Sequence, residues 1–212
     1  IHIIIDLDNI DELNSQKFKE CDVAIEFTNP SVVLSNIYSC FESGIPIVTG
    51  TTGWHEHLET VKQKCKEADS TLFYASNYSV GVNLFFAINE FVAGIMNKFP
   101  EYDVSMKESH HIHKLDAPSG TAITLADGIT DNLSRKESWT LENPNNNEIL
   151  IDVVREGEIT GIHDVLYNSE VDFINLTHHA KNRSGFALGA VLAAEFINGK
   201  KGVYTMKDLL RA

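Results

Sequence analysis

Short apolar runs alternate with amphipathic stretches near the start of the chain, and this alternation constrains the fold more than any other feature. The runs have the length and the branched side chains of buried parallel strands, and they cover residues 3–6, 22–27, 45–48 and 71–75. The amphipathic stretches have helical spacing and cover residues 30–41 and 55–68. Strands that alternate with helices of this length predict an α/β fold with a doubly wound parallel sheet.

The pattern changes after residue 78 and predicts a second domain of the α+β type with a mixed sheet. The predicted helices span residues 82–99, 119–133 and 185–198. The predicted strands span residues 102–108, 149–155, 162–167 and 171–177. Because the last three follow one another with short connections, we expect them to pair antiparallel. The predicted domains are residues 1–78, completed by 203–212, and residues 79–202.

Composition excludes several classes of partner. The chain has 17 Lys and Arg against 30 Asp and Glu, a net charge of −13, whereas nucleic acids and anionic membranes require a basic face. The longest apolar stretch, residues 82–96, is shorter than the roughly 20 residues that cross a bilayer. The three cysteines lack metal-binding spacing, which predicts reduced thiols and a cytoplasmic location.

The four predicted strand ends of the first domain are rich in small, hydroxyl and amide groups. They comprise Asp6 and residues 27–30, 49–53 and 75–78. Ordinary turn chemistry explains any one of these loops. Ligands of doubly wound sheets bind at the carboxyl ends of the strands, so four such loops on one sheet favour a ligand site.

The densest group of reactive side chains lies in residues 108–121, directly before a predicted helix start. The free N–H groups of a helix start bind anions, and Gly120 lets a carboxylate approach them. His110 and Lys114 would lie about 13 Å apart on a regular strand, so a shared substrate requires a turn near His113. With that turn, the segment predicts a cationic, proton-donating site for a carboxylate.

Other interpretations of this segment remain open, including a solvated strand end. His111 and His113 share a strand face, but a zinc site needs three or four ligands, so we predict no metal. A second cationic segment, residues 177–185, is either a loop that reaches a ligand or a solubilising surface loop. Residues 105–121 and 177–183 together carry four Lys or Arg, two acidic residues and five of the nine histidines, a positive region in an acidic chain.

The run HHIHKLDAPSGTA, which begins at His110, closely resembles the signature of the dihydrodipicolinate reductase (4-hydroxy-tetrahydrodipicolinate reductase) family of bacterial lysine biosynthesis. Further matches are DVAIEFTNP at 22–30, GTTG at 50–53 and NYSVGVN at 77–83, so the resemblance covers essentially the whole chain. It implies a Rossmann-like first domain, NADH or NADPH as cofactor, a small dicarboxylate substrate and a cytoplasmic homotetramer.

The resemblance also implies roles for individual residues. His110 corresponds to the catalytic acid, Lys114 to a second proton donor and substrate-binding lysine, and His111 to a substrate contact. Gly120 and Thr121 correspond to carboxylate binders. The residues that correspond to nucleotide-binding loops are Phe27, Thr28, Gly50, Thr51, Thr52, Ala75, Ser76, Asn77 and Tyr78. One departure is Ile112, where many members have arginine.

The sequence contains no G-x-G, whereas the family has a strand, a glycine-rich turn and a helix directly upstream of a segment like residues 1–6. We therefore expect a sheet truncated at its N-terminus and weak binding of the pyrophosphate by the chain as given. Asp6 would then end the second strand and bind the adenosine ribose. No arginine follows within ten residues to receive a 2′-phosphate, which predicts a preference for NADH.

Together these observations predict hydride transfer from the nicotinamide to a cyclic dicarboxylate, with proton donation by His110 and Lys114. Two alternatives stay open. One is a two-domain dehydrogenase that acts on another amino-acid-derived substrate. The other is a non-catalytic binding protein that uses His111 and His113 for a metal.

Overall fold

The computed structural model describes residues 1–212, the side chain of Asn14 excepted. Contacts divide the chain into two compact units, the first formed by Ile1–Val80 with Gly185–Ala212 and the second by Gly81–Ser184. The described α-helices are α1 (Gln16–Lys19), α2 (Val33–Glu42), α3 (Leu58–Glu67), α4 (Val80–Met96), α5 (Gly120–Thr130), α6 (Ser184–Ile197) and α7 (Met206–Leu209). The described strands are β1 (Ala24–Glu26), β2 (Ile47–Thr49), β3 (Thr71–Tyr74), β4 (Asp103–His110), β5 (Ser138–Thr140), β6 (Glu148–Arg155), β7 (Ile162–Asn168), β8 (Phe173–His179) and β9 (Gly202–Tyr204).

The first unit contains a parallel sheet in the order β1-β2-β3-β9. Successive side chains of a strand point to opposite faces, and both faces of this sheet are buried. Ile47 and Leu72 pack into one apolar cluster with α2 and α3. Val48 and Phe73 pack into another with α6. Helices therefore cover both faces, which confirms the predicted doubly wound α/β fold.

Helix α6 lies in the first unit, whereas the predicted boundary placed residues 185–202 in the second domain. A Cβ on Gly189 would lie 1.7 Å from the carbonyl oxygen of Tyr78, so only glycine allows this close approach. Ala190 and Ala193 are also buried in the same cluster. The apolar pattern of a helix shows that it is packed but not which core receives it, and for that reason the sequence misplaced α6.

The predicted strand at residues 3–6 does not form in the part of the chain that the structure describes. A strand requires a hydrogen-bonded neighbour, and none of the described strands pairs with these residues. Asp6 instead caps a 3₁₀ helix, Leu7–Asn14, and its carboxylate accepts from the N–H of Leu7 at 2.7 Å. The prediction that Asp6 ends a strand is therefore wrong.

The second unit contains a mixed sheet in the order β5-β6-β4-β7-β8, with α4 and α5 packed on one face. Strands β7 and β8 pair antiparallel, as predicted. β6 and β7 do not pair with each other, because β4 lies between them, parallel to β6 and antiparallel to β7. Residues 156–161 form a connection long enough to cross one intervening strand, a step of about 10 Å.

Two further predictions from composition concern membranes and cysteines. None of the helices that the structure describes is long and apolar enough to cross a membrane. The three cysteines are unpaired, and Cys40 and Cys65 are buried. Burial raises the pKa of the Cys40 thiol to about 12, so this side chain behaves as a small apolar group.

Candidate active site

The His-rich segment begins at the carboxyl end of β4, where Glu108 and His110 lie on the same side of the strand. Glu108 is fully buried and His110 is 7% exposed. The strand ends at His110, and the N–H of Lys114 donates to the carbonyl of His111 at 3.2 Å. The chain therefore turns near His113, as the predicted site requires.

Four neighbours surround the Glu108 carboxylate. The N–H of Ser119 donates to both carboxylate oxygens at 3.1 Å, and Nη2 of Arg155 donates to Oε1 at 2.8 Å. Two histidine nitrogens lie further away, at 3.5 Å for His110 and 3.7 Å for His163. Burial raises the pKa of this carboxyl, but the hydrogen bonds from Ser119 and Arg155 outweigh it and hold the pKa below its ordinary value.

His110 and His163 meet edge to face, with ring centroids 5.1 Å apart. Burial lowers the pKa of His110, and the Glu108 carboxylate partly opposes this effect. Burial lowers the pKa of His163 further, to about 4, so His163 is neutral at neutral pH. Gly161 leaves room for the pair, because a Cβ there would lie 3.1 Å from Nε2 of His110.

The possible metal ligands of the second unit differ from the pair that the sequence offered. Ligand atoms of Glu108, His110 and His163 lie within 4.8 Å of one another. The carboxylate, however, already accepts hydrogen bonds from a backbone N–H and from the Arg155 guanidinium, whose charge would repel a metal cation. We therefore interpret these side chains as a buried cluster of one hydrogen-bonded carboxylate and two histidines that lie 3.5 and 3.7 Å from it. His113 lies apart from this cluster, 3.4 Å from a carboxylate oxygen of Glu158.

Lys114 and the start of α5 form the polar side of the segment. Nζ of Lys114 donates to both carboxylate oxygens of Asp116, at 2.7 and 2.8 Å. The hydroxyl of Ser119 caps α5 by accepting from the N–H of Ala122 at 3.2 Å. A Cβ on Gly120 would meet nothing within 4 Å, so the helix start at Gly120 and Thr121 is open to a ligand.

The second cationic segment contributes one side chain to this site. Nη2 of Arg183 lies 3.3 Å from Nε2 of His111, which brings a fixed positive charge to the His-rich turn. The sequence did not single out Arg183, although its position after a strand and before a helix was the signal. Lys181, from the same segment, is exposed.

In the first unit, the loops after β1 and β2 are joined by a glutamate that the sequence analysis did not select. Glu26 is 7% exposed, and its carboxylate accepts from the hydroxyls of Thr28, Thr49 and Thr51. The N–H of Thr28 also donates to Oγ1 of Thr51 at 2.8 Å. The predicted nucleotide-binding residues Thr28 and Thr51 therefore use their hydroxyls to hold the two loops together.

Phe27, Gly50 and Tyr78 form a packed aromatic group beside these loops. The rings of Phe27 and Tyr78 have centroids 5.5 Å apart. A Cβ on Gly50 would lie 2.1 Å from the Phe27 ring, so only glycine at this position leaves room for the ring. Tyr78 is buried and its hydroxyl donates to the carbonyl of Thr49 at 2.7 Å, which makes its side chain part of the scaffold.

The other predicted nucleotide-binding residues are more accessible. Thr52 and Ser76 are exposed, and Ala75 and Asn77 are half-buried. Because β1, β2 and β3 are parallel, the loops that follow them lie at one edge of the sheet. Small and hydroxyl-bearing loops at this edge fit the position at which doubly wound sheets bind nucleotides.

A doubly wound unit with such loops, together with a mixed-sheet unit that carries a buried acid–base cluster, defines a class of two-unit, nucleotide-dependent oxidoreductases. The chain belongs to the dihydrodipicolinate reductase family. Residues 4–78 match the profile of the N-terminal part of dihydrodipicolinate reductase, and residues 81–210 match that of the C-terminal part. Membership of this family implies a pyridine nucleotide as cofactor.

Curated relatives and a solved structure agree with this family. The chain is 46% identical over 208 residues to a protein of Christiangramia forsetii, an alignment that covers 98% of this chain and 87% of the relative. A protein of Neisseria meningitidis serogroup B is 37% identical over 213 residues, covering 96% and 76%. Both are named 4-hydroxy-tetrahydrodipicolinate reductase. The dipicolinate-bound dihydrodipicolinate reductase of Paenisporosarcina sp. TG-14 has the same fold, with a TM-score of 0.75, 24% identity and coverage of 96% and 80%.

Proposed function

We propose that this protein reduces 4-hydroxy-tetrahydrodipicolinate to tetrahydrodipicolinate with NADH or NADPH, a step of lysine (diaminopimelate) biosynthesis. The observation that carries the proposal is the arrangement of the His-rich motif in the structure. His110 lies against the buried carboxylate of Glu108, and the same carboxylate binds Ser119, the residue that caps α5. The names of the curated relatives give the substrate.

The proposed chemistry assigns proton donation to His110. When bound, the reduced nicotinamide supplies the hydride, and water is lost from the substrate in the overall reaction. The enamine left by hydride addition takes its proton from His110, whose buried ring is shielded from competing water. A positioned proton donor contributes roughly 10²- to 10⁴-fold to a rate. Lys114, held by Asp116, is the second donor.

The two substrate carboxylates require two anion sites, and the second unit offers two. We assign one carboxylate to the open helix start at Gly120 and Thr121, where N–H groups lack partners within the helix. The other goes to Lys114 and His111, the latter next to Arg183. The positive charges of Lys114 and Arg183 attract a dianion locally, although the chain as a whole is acidic.

For the cofactor we propose a preference for NADH. Residues 7–16, which follow the Asp6 cap, contain neither Lys nor Arg, so a 2′-phosphate near this segment would meet no compensating cation. The accessible residues of the loops after β2 and β3, Thr52 and Ser76 among them, would line the nucleotide.

We also propose that the protein is a cytoplasmic homotetramer. Support for self-association comes from large apolar side chains that the single chain leaves exposed. They include Leu84, Ile88 and Phe91 on α4, Val171 in the connection before β8, and Phe173 at the start of β8. The molar mass in solution checks this proposal.

A coupled assay tests the function. The substrate is generated by enzymatic condensation of pyruvate with aspartate semialdehyde, and oxidation of NADH and of NADPH is followed in parallel. We expect oxidation that requires both precursors and is faster with NADH. Oxidation with aspartate semialdehyde alone would indicate a different dehydrogenase, and nucleotide binding without oxidation would indicate a non-catalytic protein.

A further inference from the structure

We infer that Glu108 is the positioning residue of the second unit: its buried carboxylate orients His110, places a negative charge against the imidazole and ties it to the start of α5. This inference rests on the proposed role of His110 as proton donor. It adds a function to a residue that the sequence presents only as one of several polar residues on a strand.

Glu108 lies where four elements of the second unit meet. It lies on β4, two residues before His110. It binds α5 through the N–H of Ser119, and β6 through Arg155. His163 approaches it from β7, with Nε2 3.7 Å from Oε2. A change at the Glu108 carboxylate therefore affects both the proposed proton donor and the start of α5, where the substrate carboxylate is proposed to bind.

The Glu108 carboxylate also places a negative charge beside His110. A fully buried carboxylate is costly unless it is paired and hydrogen-bonded, and Glu108 has both kinds of partner. These hydrogen bonds favour its ionised form. The result is a fixed negative charge 3.5 Å from Nδ1 of His110. An opposite charge at this distance favours the protonated imidazole, the form that can donate.

Glu108 opposes the other groups that act on the pKa of His110. Burial lowers the pKa of His110, and the positive charges of Lys114 and Arg155 lower it further. Asp116 opposes them from the following turn, but it is exposed and paired with Lys114. Glu108 is the buried carboxylate among these groups, and its effect on the pKa of His110 is the larger of the two acidic ones.

His163 supports the same arrangement without adding charge. Its ring packs against the edge of the His110 ring and lies 3.2 Å from Oγ of Ser119. Because burial lowers the pKa of His163 to about 4, it stays neutral in the pH range where His110 would work. It fixes the orientation of the His110 ring and does not compete for the proton.

The test is the pH profile of kcat for Glu108→Gln. The activity of an enzyme with a histidine acid falls as the pH rises through the pKa of that histidine. Removal of the carboxylate charge lowers this pKa. The alkaline limb, which is the part of the profile where kcat falls with rising pH, should therefore move to lower pH by about one to three units. The matched control is Glu158→Gln, which removes an exposed carboxylate 3.4 Å from another histidine of the motif, His113, and should leave the limb in place.

A second variant gives the opposite sign. Arg155→Gln removes a positive charge that lowers the pKa of His110, while the N–H of Ser119 still binds both oxygens of the Glu108 carboxylate and favours its ionised form, so the alkaline limb of this variant should move up. A purely structural role of the cluster would not move the two limbs in opposite directions. If Glu108→Gln does not fold, Arg155→Gln still decides, because an unmoved limb in that variant overturns the inference.

A titration without substrate separates this inference from the proposed function. The pKa of His110 is read from its ring proton resonances by NMR in the wild-type protein and in both variants. Shifts down in Glu108→Gln and up in Arg155→Gln support the positioning role even if the wild-type protein fails to reduce the proposed substrate. Equal titration curves in all three proteins overturn it.

Discussion

Glu26 in the first unit and Glu108 in the second are both buried, yet they have different partners. Glu26 accepts hydrogen bonds from three threonine hydroxyls, which are neutral groups. Glu108 binds a guanidinium and a backbone N–H and faces two histidines. The first carboxylate joins two loops of one sheet edge, and the second is coupled to groups that exchange protons.

Because their partners differ, the two buried carboxylates should contribute differently to the two units. Hydroxyl partners fix geometry, so Glu26 should act on the shape of the nucleotide loops and thus on cofactor binding. Ionisable partners respond to its charge, so Glu108 should act on proton transfer and on the pH dependence of the rate. The three predictions below test this division between binding in the first unit and proton chemistry in the second.

The largest effect is expected for His110→Ala in the second unit. Loss of the positioned donor should lower kcat by roughly 10²- to 10⁴-fold, while the Kd for NADH stays unchanged. Steady-state kinetics and a nucleotide titration measure the two quantities. The control is His113→Ala, which removes an exposed histidine of the same motif. A kcat of His110→Ala equal to that of the control would remove His110 from the acid role.

A smaller effect is expected for the stability of the second unit in acid. Folded His163 has a pKa of about 4, whereas an unfolded histidine titrates near 6.5. As the pH falls below 6.5 the unfolded chain gains this proton first, so the stability that neutral His163 contributes is lost between 6.5 and about 4. The full loss amounts to about 3 kcal/mol, and His163→Gln should abolish that part of the pH dependence.

The two tryptophans make this measurement specific to one unit. Trp54 belongs to the first unit and Trp139 to the second, so Trp54→Phe leaves a fluorescence reporter of the second unit alone. Urea unfolding is then followed across this pH range with and without His163→Gln. An identical pH dependence in both proteins would show that His163 is not buried as a neutral group.

The smallest effect is expected for Glu26→Gln in the first unit. The glutamine amide has the same shape as the carboxylate but lacks its charge and one hydrogen-bond acceptor. The interaction that joins the loops after β1 and β2 should therefore weaken by about 1 to 2 kcal/mol. We expect the KM for NADH to rise about 10-fold, with kcat at saturating NADH and its pH profile unchanged. A shifted pH profile in this variant would break the division between the two carboxylates.

Local patterns of the sequence predicted most elements of both units. Strands β2 and β3 and helix α4 lie close to their predicted positions because apolar periodicity depends on adjacent residues. The pairing of β4 between β6 and β7 was missed because it depends on which edges are available after collapse. The strand predicted at residues 3–6 does not form for a related reason, since a strand requires a hydrogen-bonded partner.

The candidate site was predictable to a similar extent. The motif placed His110, Lys114 and the helix start near one another, and the turn after β4 agrees with this. Glu108 was missed because an acidic residue on an alternating strand is usually solvated, and its cation, Arg155, is 47 positions away. His163 and Glu26 were missed for the same reason, because long-range contacts bury them.

The order of the elements along the chain has a consequence for folding during synthesis. The second unit is one continuous segment, so all of its strands are synthesised before α6. The sheet of the first unit, by contrast, lacks α6 on one face and β9 at its edge until those later residues appear. The first unit is therefore the last to be completed, and the side chains of Val48 and Phe73 stay without their covering helix until α6 has been made.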